Sequence, residues 1–354
     1  MTPRTPHVWL CHCLAPDAWC PTTELLHSME QPGFDWEPIL ALAHRGLVAT
    51  SLYPALQRRG LLAAAPTEVV AHLTTLHALN AEHNQLLRRE LRAAARLFNQ
   101  IGVEPLLLKG ALALLPDAYP GAESRLMGDL DLLVPADRLA DCQQALNAFG
   151  YHAAHPETGH AGHHHAPPLF HPEHGCKFEL HRAVLGRLLE AVLPTKDIWR
   201  DSHRVVLEGA FVRAPSPTHR ILHNALHTLL QDHRAESGIL ELRQLLDLVQ
   251  LRARDDAGID WPLVQARFEA RGQYAALGAY LRAARDLFGQ PLPAGCPPSI
   301  AATWLEWKFT FGVRHPAAIR WYHWHTRLKR LPKRLCTPSW YPMKIRALLR
   351  GAPL

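Results

Sequence analysis

The hydrophobic period of the chain changes at Val103, and no other feature restricts the fold as much. Upstream, apolar residues recur at helical spacing. DWEPILALAHRG opens a helix at Asp35, puts Trp36, Ile39, Leu40 and Ala43 on one stripe and stops at Gly46. A short helix over SLYPALQRRG follows. Pro66 and Thr67 start a long one, with Val69, Val70, Leu73, Leu76, Leu87, Leu91, Ala94 and Phe98 at helical spacing until Gly102. Downstream, VEPLLLKG reads as a short buried strand with a Lys-Gly turn, ALALLPDAY as a short helix and MGDLDLLV as a second strand bounded by Gly128 and Pro135. ADRLADCQQALNAFG is an amphipathic helix, YHAA starts a third strand, and CKFELHR, after a His- and Pro-rich loop, is predicted as the fourth. HRVVLEGAFVRAP predicts a hairpin around Glu208-Gly209, and from Pro217 the chain is helical again. Strands alternating with helices predict an α+β or α/β fold, a small mixed-sheet core flanked by helical regions on both sides. The expected divisions are 1–102 (helical), 103–215 (core), 216–300 (helical) and 301–354 (tail).

With 48% apolar and 20% charged residues, the chain is neither disordered nor a coiled-coil rod. No apolar run approaches the ~18 residues of a membrane span. The first residues lack a continuous apolar stretch and carry an early acid, so no signal peptide is expected. Seven cysteines in a chain of this length suit reduced thiols, and the expected address is the cytoplasm. The net charge of +6 is unevenly spread: no acid follows Glu306, while 11 of the 38 basic residues do. Residues 1–306 therefore carry a mild negative balance, and an argument for a polyanionic partner belongs to the tail alone.

The chemistry concentrates in LLLKGALALLPDAYPGAESRLMGDLDLLV. Strand side chains alternate, so Asp129 and Asp131 project from one face and Leu130 and Leu132 from the other. Two carboxylates side by side raise each other's pKa unless a cation lies between them, and a hard divalent ion such as Mg²⁺ or Mn²⁺ removes that cost. Alone, the pair also fits a helix-side cap plus a surface charge; its place at the start of an apolar strand favours function. In CKFELHR, Lys177, Glu179 and His181 share a face while Phe178 and Leu180 point to the core. Glu179 is thereby a candidate third carboxylate and His181 a candidate substrate contact; the stripe also fits the solvent side of an edge strand. Lys109-Gly110 ends the first strand, where glycine allows a tight turn and the following helix start offers N–H groups to a phosphate. Lys109 and Arg125 are the cations available to a triphosphate.

The run LLLKG, Arg125, MGDLDLLV, the following helix, Gly150-Tyr151 and FELH resembles the uncharacterised nucleotidyltransferase family, part of the polymerase-β-like superfamily. The resemblance extends to WEPILALAHRGLVATSLYPAL, PSPTHRILHNALH and LLDL, over roughly residues 35–250. It implies a minimal nucleotidyltransferase core with Asp129, Asp131 and Glu179 as catalytic, metal-binding acids. The superfamily's usual Gly-Ser turn is here Lys109-Gly110 followed by Ala111. The expected nucleotide-binding positions are Lys109, Gly110, Arg125, Gly128 and His181. The expected activity is Mg²⁺-dependent transfer of a nucleoside monophosphate, from an NTP with ATP as the expected donor, to a small-molecule, sugar or peptide acceptor. The competing expectation is a catalytically silent nucleotide- or nucleic-acid-binding protein that uses its basic tail.

Four other features carry less. Nine histidines between His152 and His181, most of them in the loop at 155–174, suit Zn²⁺ or Ni²⁺ by type, but no Cys or acid recurs at ligand spacing, which favours a polar insertion. Cys11, Cys13 and Cys20 match no structural zinc pattern and read as ordinary thiols. His219, His223 and His227 recur every four residues on one helical face, as core or interface histidines do. The tail interleaves Trp304, Trp307, Trp321, Tyr322, Trp324, Trp340 and Tyr341 with its basic residues. Such a set suits nucleic acid, an anionic membrane surface, or a helical appendage packed on the body.

Overall fold

A computed structural model of the chain describes residues 5–116, 122–153, 163–296 and 300–315. Seven strands form one mixed sheet: β1 (Leu106–Leu107), β2 (Leu130–Leu133), β3 (His152–Ala153), β4 (Leu169–Phe170), β5 (Lys177–His181), β6 (His203–Leu207) and β7 (Ala210–Ala214), in the order β3-β4-β5-β2-β1-β7-β6. β2 runs parallel to β5 and β1 parallel to β7, while the other neighbours are antiparallel. The hairpin turns on Glu208 and Gly209, both at positive φ.

The structure corrects two local expectations. The His- and Pro-rich segment contributes a strand, β4, so CKFELH is the fifth strand. Two residues after a Pro-Pro pair are too few to show an alternation, and β4 exists because β3 and β5 flank it with ladder partners. The short helix expected at ALALL is of the 3-10 type and starts earlier, over Lys109–Leu114, with its apolar residues buried. Of the loop, residues 154–162 lie outside the described residues, as does the tail beyond His315.

The helix Thr67–Gln100 follows its predicted stripe: Val69, Leu73, Leu87, Leu91, Ala94 and Phe98 are buried, and Gly102 at φ 77° turns the chain into β1. At 1.5 Å per residue it is about 50 Å long, enough to reach past the sheet at one end. Its C-terminal half packs with β1, β2, β5 and β7 around Phe98, Leu107, Leu130, Phe178 and Val212. Its N-terminal half belongs to a second core, where N-terminal residues such as Trp9, Ile39 and Leu52 meet C-terminal ones such as Leu245, Phe268, Tyr280 and Phe309. The helical segments before and after the sheet thus bury their apolar faces against one another. The buried thiols of Cys11, Cys13 and Cys20 sit in this core, and burial raises each of them, Cys13 to about 12 and Cys20 to about 11, which keeps them protonated. No helix among the described residues is long and apolar enough to cross a membrane.

Candidate active site

The parallel pairing of β2 and β5 sets Asp131 opposite Glu179 and Leu133 opposite His181. On a pleated strand pair this puts both acids and the imidazole on one side, while Leu130, Leu132, Phe178 and Leu180 face the sheet core. Asp131, Glu179 and His181 each offer a donor atom, and these atoms all lie within 4.8 Å of one another. Asp129, one residue before β2, stands outside that group. It is linked to it by Lys177, whose Nζ lies 3.1 Å from Asp129 Oδ2 and 2.8 Å from Glu179 Oε1.

Asp131 is the centre of the buried part. Its side chain is 2% exposed, and its Oδ1 accepts from Lys109 Nζ at 2.7 Å and from His181 Nε2 at 2.8 Å. Burial acts to raise this carboxyl, but Lys109 and His181 outweigh it and hold Asp131 far below the usual carboxylate range. Lys109 is raised: burial lowers it, and the Asp131 charge more than restores it. Burial lowers His181, only partly offset by Asp131, so the imidazole is neutral. Because Nε2 donates to an ionised carboxylate, the proton of the neutral ring sits there, and the lone pair is on Nδ1. That Nδ1 is buried without a hydrogen-bond partner among the described residues.

The turn that carries Lys109 departs from the sequence argument in one respect. Lys109, not Gly110, occupies the left-handed region, with φ 46°. The Leu108 N–H donates to the Asp131 carbonyl at 3.0 Å, which docks the turn on β2 and keeps the lysine beside its carboxylate. Backbone held in this region by a non-glycine residue costs on the order of 1 kcal/mol. Gly110 matters for another reason: a Cβ there would lie 2.5 Å from Arg125 Nη1, so a larger residue would push the guanidinium aside. A Cβ at Gly128 would meet nothing within 4 Å, so no steric demand selects glycine at that position.

Arg125 is buried and committed to Asp247, with Nε to Oδ1 at 3.0 Å and Nη2 to Oδ2 at 2.8 Å. Its segment is clamped from three helices. Thr50 and Ser51 donate to the Ser124 carbonyl at 2.8 and 2.7 Å, Asn84 to those of Ala122 and Arg125, His83 to that of Met127 and Arg243 to that of Leu126. Asn80 donates to the Glu123 carbonyl as well. Sequence reasoning assigned no role to Asp247, Asn80, Asn84 or Lys177. Asp247 lies in the LLDL run and Lys177 in CKFELHR, but partners 122 residues apart in sequence show no local signal. Lys109 and Arg125 also line a cavity with His223 and His227, so this helical histidine face borders the site.

Two carboxylates and an imidazole whose donor atoms lie within 4.8 Å of one another make a donor set that fits a divalent cation. The central parallel strand pair thus presents two acids and a histidine beside a lysine-bearing turn. The chain belongs to the uncharacterised nucleotidyltransferase family, whose model matches residues 32–289. No curated protein and no solved structure matches it. Family membership makes transferase the activity class, and nucleotidyltransferases generally use divalent metals.

Proposed function

We propose that the protein transfers a nucleoside monophosphate from an NTP, with ATP as the expected donor, to a hydroxyl-bearing small molecule, sugar or peptide, and releases pyrophosphate. The observation that carries this reading is the convergence of Asp131, Glu179 and His181 on adjacent parallel strands. Asp131, Glu179 and the nearby Asp129 are the residues that would hold Mg²⁺, which when bound neutralises charge on the triphosphate oxygens. Glu179, half-buried and next to Asp131, takes the proton of the acceptor hydroxyl. The acceptor oxygen then forms its bond to the α-phosphorus as the α–β phosphoanhydride bond breaks. Lys109 offers its cation to the departing pyrophosphate from the turn, by positioning and charge stabilisation. Arg125, the other cation at the turn, is matched by Asp247 and holds the segment beside Lys109 in place.

A second reading, a catalytically silent nucleotide- or nucleic-acid-binding protein, is favoured by one observation: Lys109 and Lys177 already compensate the acids. Incubation with each α-labelled NTP, Mg²⁺ and a cell extract, with and without EDTA, decides between them. Metal-dependent label on a product together with pyrophosphate release supports the enzyme. Retention of nucleotide with no transfer to any component supports the binding protein.

A further inference from the structure

Below the Lys109 turn, between the helices Pro217–Leu226 and Leu242–Asp255, lies a cavity of about 70 Å³. Its charged and imidazole lining is Lys109, Arg125, Arg220, His223, His227 and Asp247, three permanent cations against one acid. Two of the cations are matched, Arg125 by Asp247 and Lys109 by Asp131. Arg220 is not matched in the same way. Its Nη1 stands 3.6 Å from Asp255 Oδ2, beyond hydrogen-bond length, and burial together with Arg254 lowers it to about 10. His223 is 6% exposed and its Nε2 has no hydrogen-bond partner among the described residues.

Leaving a buried nitrogen such as His223 Nε2 unsatisfied is costly, so this imidazole, beside a guanidinium whose ion pair with Asp255 is long, calls for an occupant in the cavity. The sign of the lining asks for an oxyanion. The space is large enough for a tetrahedral oxyanion. Asp247 is no obstacle, because Arg125 has already neutralised it through two hydrogen bonds.

We infer that this cavity is a phosphate subsite in which Arg220 and His223 grasp the terminal phosphate of a substrate whose reacting end lies at Asp131 and Glu179. Lys109, common to both places, connects them. The inference rests on the transfer reaction proposed above and specifies a substrate feature that reading leaves open: a phosphate set apart from the bond that reacts. That phosphate is either the end of the NTP polyphosphate or a group on the acceptor, and the two sources are separable.

Calorimetric titrations of the full chain with ATP, AMP and inorganic phosphate, repeated on Arg220→Met and His223→Leu, test it. If the NTP supplies the group, both variants bind ATP roughly tenfold or more weakly while AMP affinity is unchanged. If the acceptor supplies it, ATP affinity holds and inorganic phosphate, bound by the wild type, is lost from both. Arg220→Lys, which keeps the charge and fold, retains most of the binding in either case, and thermal melts with and without phosphate verify that the variants are folded. Equal affinities of wild type and folded variants for ATP and phosphate overturn the subsite. So does an absence of phosphate and ATP binding by the wild type. Phosphate capture that depends on Arg220, without nucleotide transfer, leaves the subsite standing and removes the transfer reading. Transfer unaffected by both substitutions does the reverse.

Discussion

Lys109 and Lys177 each reach carboxylates on the same pair of parallel strands, one from a buried turn and one from the start of β5. Lys109 meets Asp131, which is 2% exposed, and its place is set by the backbone bond between Leu108 and Asp131. Lys177 bridges Glu179 and Asp129, the latter 39% exposed, from a strand end that is open to water. The inner pair lies where an unmatched charge is expensive, so neither partner leaves without loss of stability. The outer bridge lies where water substitutes for a lost partner at little cost. The acids therefore differ in what they do. Asp131 keeps Lys109 on its Oδ1, while in the proposed reaction Glu179 and Asp129 are the carboxylates that would give up a lysine to a ligand.

Breaking the inner pair gives the largest effect. Asp131→Asn leaves Lys109 half-buried beside a neutral amide, and urea unfolding is expected to show a loss of about 3 kcal/mol, with nucleotide transfer abolished. Near wild-type turnover in that variant would refute the assignment of Asp131.

Lys109→Met attacks the same pair from the other side and is expected to cost about 2 kcal/mol at pH 7. Its pH dependence has a definite sign. In the wild type the folded Asp131 carboxyl lies below its unfolded value, so its contribution is present above the ordinary carboxylate range and declines as the pH falls through and below it. Without Lys109, burial prevails and raises the carboxyl. The stability gap between wild type and variant therefore widens as the pH rises from about 3 to 7. Melting curves across that range check it, and a gap independent of pH would contradict the pairing.

Removing the outer bridge is expected to do much less to the fold. Lys177→Met changes stability by under about 1 kcal/mol. With the lysine gone, Asp129 and Glu179 repel each other, so Mg²⁺ binding measured by calorimetry tightens by about fivefold. Unchanged or weaker Mg²⁺ binding would show that Lys177 does not compete for these carboxylates.

Asp129→Asn is the mildest in stability, within about 0.5 kcal/mol, and it sharpens the division between the acids. Transfer should fall, yet by less than in Asp131→Asn, since Asp129 stands outside the group of three converging donors. A loss equal to that of Asp131→Asn would place Asp129 within the metal-binding set on the same footing.

Much of this arrangement was readable in advance because it rests on local periodicity. The stripe of the helix Thr67–Gln100, the apolar alternation around Asp131 and Glu179, and the hairpin turn at Glu208-Gly209 are short-range patterns that hydrophobic burial enforces. The parts that were not readable depend on distant partners or on single backbone angles. Asp247 acquires its role only when the helix Leu242–Asp255 brings it to Arg125. Lys109 takes the left-handed conformation that its glycine neighbour suggests for itself, because β2 docks the turn. The helix Pro6–Leu14 is apolar on nearly every side, so no stripe distinguished it, and its burial is explained by C-terminal helices that lie on top of it.

That last arrangement governs how the protein is made. The helical core joins residues between 9 and 73 to residues between 184 and 309, with strands β1 to β5 encoded between them. On the ribosome, the first helices emerge with their apolar faces uncovered and without the segments that will cover them. At ~5–20 residues per second, the wait is on the order of ten seconds or more, during which the sheet strands are synthesised and begin to pair. These helices therefore stay apolar and uncovered for as long as that synthesis takes. The site completes late as well, since Asp247 must arrive before Arg125 is fixed beside the lysine turn.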